Sequence, residues 1–209
     1  ILAGVLLTSA QEKFLRKFGI KDSKLILHPN RIKLAKIIRE GCEAFEVVKT
    51  FPDEIDRALN FGTNLNKLEA MQTAKIINEI NSGKFRKVKI KVIVDCPSVN
   101  IPAWKATLME FIENAENLKV ICEHKADANH LPVSAASIVA KVVREEEVAA
   151  IRAKFGEIGS GYPSDPYTKE FLKKHGHELR DSGIFRKSWA TWRERFPGSE
   201  KGQKTLGEF

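Results

Sequence analysis

Two apolar runs, each released into an aspartate, constrain this chain more than any other feature. Val88 to Val94 alternates and then turns continuously apolar, and Asp95 stands at its end; Leu118 to Glu123 is a second short apolar run, followed by His124-Lys125-Ala126-Asp127. Stretches of this kind read as strands entering a buried sheet. Between them, a loop from Pro97 to Pro102 leads into a helical pattern from Ala103 to Ala115, with Trp104, Leu108, Phe111 and Ile112 available for packing. The order strand, helix, strand points to the α/β class, in which polar groups beyond the strand ends build sites. Two carboxylates leaving consecutive strands can converge on magnesium or manganese, which prefer oxygen ligands. An isolated aspartate after a strand is more often a helix cap, so neither carboxylate decides the matter alone.

The rest of the chain supplies elements around this unit. Ile1 to Thr8 reads as a buried strand that begins abruptly, which suggests residues ahead of it, and a short basic helix follows from Ser9 to Phe18. Lys21-Asp22-Ser23-Lys24 is a polar loop in which two lysines flank a hydroxyl; such a tetrad can hold a phosphate or be a solvated turn. Helical patterns run over Asn30 to Gly41 and Asn64 to Ile80, with a valine- and phenylalanine-bearing strand at Ala44 to Thr50 and a helix start at Pro52-Asp53-Glu54. Ser134 to Phe155 is the longest helical pattern. Its small first residues allow close approach, and free amides at a helix start favour an anion. Gly159-Ser160-Gly161-Tyr162-Pro163-Ser164-Asp165-Pro166 must turn, and it presents Tyr162, which can stack on a sugar or base or anchor the loop in the core. A short helix is expected over Thr168 to His175. Gly183 to Phe196 interleaves Arg186, Lys187, Arg193 and Arg195 with Trp189 and Trp192, a pattern that suits tryptophans packed inward and arginines turned to solvent or phosphate. Pro197 to Phe209 reads as a loosely held tail.

Composition narrows the partner. The net charge of +8 over 209 residues favours a polyanion such as nucleic acid, although many soluble proteins are as basic. Cys42, Cys96 and Cys122 are widely spaced and form no paired metal-ligand motif, which suits a reducing cytosol. No apolar run reaches membrane-spanning length.

Taken in order, Lys21 to Lys24, Ile93-Val94-Asp95, His124 to Asp127, Ser134 to Lys141, Gly159 to Pro166 and Phe185-Arg186-Lys187-Ser188-Trp189 resemble the ribonuclease HII family. That resemblance implies an RNase H-like α/β fold with a mixed central sheet flanked by helices, plus C-terminal helices. Residues 1–155 would form the core, and 156–209 a helical region contributing to substrate binding. It implies an endonuclease that hydrolyses the RNA strand of RNA–DNA hybrids and cuts at ribonucleotides embedded in DNA. The enzyme would work in the cytoplasm as a monomer, leaving 5′-phosphate and 3′-hydroxyl ends. The family uses four acidic residues to hold two divalent cations, Mg²⁺ or Mn²⁺. Asp95 and Asp127 match the last two, so the metal and catalytic roles are carried onto them. Tyr162 matches the tyrosine that packs on the sugar and confirms the 2′-hydroxyl, and Lys24, Ser134, Ala135 and Lys141 match positions near the substrate backbone.

One departure matters. The family's first two carboxylates belong to an Asp-Glu-Ala-Gly-Arg-Gly motif just ahead of the strand that opens this sequence, and its Gly-Arg-Gly part senses the ribonucleotide junction. The motif is absent from this sequence, through truncation or omission of a stretch. With half of the acidic cluster, feeble or no hydrolysis by this chain itself is expected, and the alternative reading is a hybrid-binding module without catalysis.

Overall fold

The computed structural model describes residues 1–20 and 26–198. In chain order the elements are β1 (Leu2–Leu6), α1 (Ser9–Arg16), α2 (His28–Gly41), β2 (Ala44–Val48), α3 (Pro52–Asn60), α4 (Leu65–Ile80), a 3-10 turn (Gly83–Lys87), β3 (Ile90–Asp95), α5 (Ile101–Glu110), β4 (Leu118–Glu123), α6 (Ala126–Asn129), α7 (Leu131–Phe155), α8 (Pro166–His175) and α9 (Ala190–Arg195). They fall into two compact units. One comprises Ile1–Lys49 and Asn66–Glu145, the other Thr50–Leu65 and the described part of Glu146–Phe209.

The first unit holds the strands. β1 pairs antiparallel with β2, Leu2 opposite Val48, and β3 pairs parallel with β4, Asp95 opposite Glu123. Both parities of the expected mixed sheet are present, in two ladders. Alternation in β1 sends Ala3, Val5 and Leu7 into a core with Leu15, Ile38, Ile138 and Val139 from α1, α2 and α7. The opposite face meets α4, where Gly4 is required: a Cβ there would stand 2.5 Å from Cγ2 of Ile76. A second core joins Ala70, Ala74 and Ile77 of α4 to Trp104 and Leu108 of α5 and to Val120 of β4. Trp104 is buried with its indole N–H donated to the carbonyl of Asn66 at 3.1 Å, so the ring packs without an orphaned donor. A cavity of about 370 Å³ is lined by β1, β3 and the apolar face of α4.

In the second unit Val148, Ile158 and Phe171 make a small core, extended by Phe155, Leu179 and Phe185. Phe171, Phe185, Trp192 and Phe196 stack in a chain with centroid separations of 6.1, 5.4 and 4.6 Å. Trp192 is packed inward as expected, whereas Trp189 is only partly buried.

Several boundaries differ from the expected ones, each for a local reason. α5 stops at Glu110, not Ala115, because Asn78 of α4 takes over the next turn: its amide donates to the Phe111 carbonyl at 2.9 Å and its oxygen accepts from the Glu113 N–H at 3.1 Å. α7 starts at Leu131, three residues before the expected Ser134, because the His130 carbonyl already accepts from the N–H groups of Val133 and Ser134. Only Ala190–Arg195 of the segment from Gly183 to Phe196 is helical. Among the described residues no helix is long and apolar enough to cross a membrane.

Candidate active site

Asp95 and Asp127 are brought together by the turn that follows β4. Parallel pairing places Asp95 at the end of β3 beside Glu123 at the end of β4. The chain then reverses through Lys125, held in the left-handed region at φ 57°, a conformation that costs a side-chain-bearing residue about 1 kcal/mol. That reversal points the Ala126 N–H at Asp95 Oδ1, 3.1 Å away. It also sets Asp127 in the first turn of α6, buried, on the wall of the same cavity that Asp95 lines. Two further bonds pin the corner: His124 Nδ1 lies 3.0 Å from the Cys96 carbonyl, and His130 Nε2 lies 2.8 Å from Glu123 Oε1.

A third carboxylate joins them that sequence reasoning missed. Glu69 of α4 lines the cavity, and its carboxyl is pushed above the ordinary range, chiefly by burial and further by Asp95. Its signal was present but faint. Glu69, Thr73, Ile76 and Ile80 fall on one helical stripe, so an acid heads an otherwise mostly apolar, inward-facing row. Asp95, Asp127 and Glu69 bring carboxylate oxygens to the lining of this cavity, the chemistry that hard divalent cations prefer. Among the described residues no group of three His, Cys, Asp or Glu is placed to hold a metal ion.

The small residues at Ser134 and Ala135 lie inside α7, which starts at Leu131. Ser134 is 2% exposed and Ala135 fully buried, the latter inside the core of α1, α2 and α7; the Ser134 N–H is spent within the helix. Lys141 is half-buried further along α7. Lys24, with the tetrad around it, lies outside the described residues, as does the tail from residue 199.

Tyr162 belongs to the second unit and is 52% exposed on its glycine-rich loop. Gly159 and Gly161 take φ of 68° and 74°, as the sequence demanded. A Cβ on Gly159 would meet Asp165 Oδ2 at 2.6 Å and the Thr168 N–H nitrogen at 2.8 Å. Asp165 organises the loop. It accepts from the Ser160 N–H at 2.5 Å and caps α8 by accepting from the Tyr167 N–H at 3.0 Å. Hydrogen bonds from Ser160, supported by Tyr167 and Thr168, hold its carboxyl down to about 2. The tyrosine is therefore presented by a fixed loop, not buried as an anchor.

With this geometry in hand, comparison with known proteins is decisive. The family model described as Ribonuclease HII matches residues 1–192. The chain belongs to the ribonuclease HII family. A Ribonuclease HII of Methanococcus maripaludis is 39% identical over 192 residues, spanning 91% of this chain and 78% of that one. The solved PCNA:RNase HII complex from Archaeoglobus fulgidus contains a chain 36% identical, with a TM-score of 0.78, covering 99% of this chain and 91% of its own length. The ribonuclease H2 of Pyrococcus horikoshii OT3 superposes with a TM-score of 0.76 at 34% identity, covering 90% and 85%. The fold is RNase H-like, and the chain is a ribonuclease H, a family of endonucleases that cleave RNA in RNA–DNA hybrids.

Proposed function

We propose that this ribonuclease also cuts at single ribonucleotides embedded in duplex DNA, and that it does so with two divalent cations, Mg²⁺ or Mn²⁺. The observation that carries the metal reading is the convergence of Asp95 and Asp127 on one cavity wall through the parallel β3–β4 pair. Carboxylate oxygens fit such cations, and Asp95 and Asp127 would hold them. Bound cations of this kind lower the pKa of water and stabilise a leaving oxygen in in-line attack on phosphorus, which yields 5′-phosphate and 3′-hydroxyl ends. The chain's own residues do the rest. The Ala126 N–H bonds Asp95 Oδ1 and holds its rotamer, Asp127 is buried on the same cavity wall, and Glu69, whose carboxyl burial and Asp95 push up, lines that cavity beside them. Tyr162, half exposed on a rigid loop, is read as the platform for the nucleotide sugar, where the 2′-hydroxyl distinguishes RNA from DNA. Lys24, Ser134, Ala135 and Lys141 are read as positions near the substrate backbone.

The test is cleavage of a duplex carrying one ribonucleotide, with Mg²⁺ or Mn²⁺, by this chain and by a version extended upstream with the family's Asp-Glu-Ala-Gly-Arg-Gly motif. Cleavage by the extended chain that Asp127→Asn abolishes is the expected result. Absence of cleavage by the extended chain, or indifference to Asp127→Asn, overturns the reading. Hybrid binding without a metal-dependent product from either chain would favour the binding-module alternative.

A sliding-clamp partner is proposed as well. The solved relative in complex with PCNA matches over 99% of this chain. Gel filtration of the chain with PCNA tests it: co-elution is expected, and separate elution overturns it.

A further inference from the structure

Outside the carboxylate cluster, the second unit contains a buried acid that no catalytic role absorbs. Asp56 of α3 is 7% exposed, and both its oxygens are committed to a segment far along the chain. Oδ2 accepts from the Lys187 N–H at 2.6 Å and Oδ1 from the Ser188 N–H at 3.0 Å. The receiving segment has no regular structure of its own: residues 182–189 are bends and turns. A backbone without a ladder must find its partners elsewhere, and here one carboxylate supplies them to two successive amides.

What the clamp holds is a compact basic and aromatic group. Arg186 lies over the Trp189 ring with 5.3 Å to its centroid and donates from Nε to Ser188 Oγ at 3.0 Å. Its guanidinium is within electrostatic reach of Asp56. Arg193 donates to the Ser188 carbonyl, which fixes the same residue from the other side. A guanidinium stacked on an indole keeps its planar fork in one orientation, and a planar fork suits bidentate contact with phosphate. Charge in a chain of net +8 needs no such scaffolding to attract a polyanion at long range. Scaffolding matters for a contact that must form at one place.

We propose that Asp56 is a positioning residue that holds Arg186 and Trp189 as a clip on the sugar–phosphate backbone of the substrate duplex. The proposal rests on the reading of the chain as a ribonuclease of RNA–DNA hybrids, and it adds a second contact region in the same unit that carries Tyr162. It assigns no base readout, because a backbone contact carries none.

Binding of a labelled RNA–DNA hybrid, measured by fluorescence anisotropy in EDTA from about 50 to about 200 mM salt, tests it. Arg186→Ala is expected to weaken affinity several-fold and to lower the salt slope by about one contact. Asp56→Ala should reproduce both effects, and Asp56→Asn, which retains one acceptor oxygen, should recover part of the loss. The Asp56→Ala/Arg186→Ala double variant should bind no more weakly than either single variant, since both remove one contact. A purely structural Asp56 would lower the melting temperature, leave the salt slope unchanged and add its effect to that of Arg186→Ala; that pattern overturns the proposal. So does a hybrid affinity and slope indifferent to Arg186→Ala, an outcome that holds even where Asp56→Ala fails to fold. If the unsubstituted chain itself shows no salt-dependent hybrid binding, the underlying ribonuclease reading fails, and this proposal falls with it.

Discussion

At the scale of single residues, the site depends on side chains whose neighbours leave them little freedom. Gly159 is the sharpest case, since a Cβ would collide with Asp165, Thr168 and Tyr167 at a φ that side chains avoid. Gly159→Ala should therefore destabilise by about 1–3 kcal/mol in urea unfolding and, in the chain extended upstream, lower kcat/KM on a single-ribonucleotide duplex through misplacement of Tyr162. Tyr162→Phe, which keeps the ring, should leave stability unchanged. Asp165 gives the loop a pH signature. Its carboxyl is held at about 2, below the ordinary carboxylate value, so its contribution is complete above about pH 4 and is lost as pH falls toward 2. Near-UV CD of the tyrosines, followed downward through that window, should show the loop loosening there, and Asp165→Asn should remove the transition. Glycine chemistry made this loop legible from sequence, because two glycines around a serine admit few other conformations. Glu69 left only a faint signal, an acid at the head of a mostly apolar helical stripe, and Asp56 left none: it is an acid within a helix, and only tertiary placement shows that it is buried.

At the scale of elements, periodicity found the strands and helices, while their ends were set by partners remote in sequence. β3, β4 and α4 follow from apolar pattern alone. The end of α5 does not, because Asn78 lies 33 residues from the Phe111 carbonyl it binds. Asn78→Ala should unbind two backbone groups and cost about 1–3 kcal/mol, and hydrogen exchange at Glu113 should rise in step. Gly4 is a comparable constraint in β1. Gly4→Val places branched carbon where Ile76 already sits, so a loss of about 1–3 kcal/mol is expected from overpacking. Ile76→Ala in the same background should recover part of it. Failure of that rescue would show that α4 does not approach β1 as closely as described. The start of α7 carries the same lesson in reverse. The small residues at Ser134 and Ala135 read as the start of the helix, but the His130 carbonyl starts it earlier and places them, buried, within its first turns.

At the scale of the whole molecule, binding and chemistry draw on different groups. The excess of lysine and arginine, 35 against 27 aspartates and glutamates, is spread along the chain. The carboxylates of the candidate metal site line a single cavity. Affinity for a hybrid should therefore follow counterion release and fall roughly 100-fold between about 50 and about 200 mM salt for ~4 phosphate contacts. Removing a negative charge from the metal site should not weaken that term; Asp127→Asn takes away a repulsive charge and should leave metal-free affinity unchanged or slightly raised. Added Mg²⁺ separates the two contributions. In the extended, cleavage-competent chain, Asp127→Asn should abolish product while the salt slope of binding stays that of the parent. A slope that changed with Asp127→Asn would mean that this carboxylate shapes the duplex-binding surface directly, and the division between a basic binding surface and an acidic metal site would have to be abandoned.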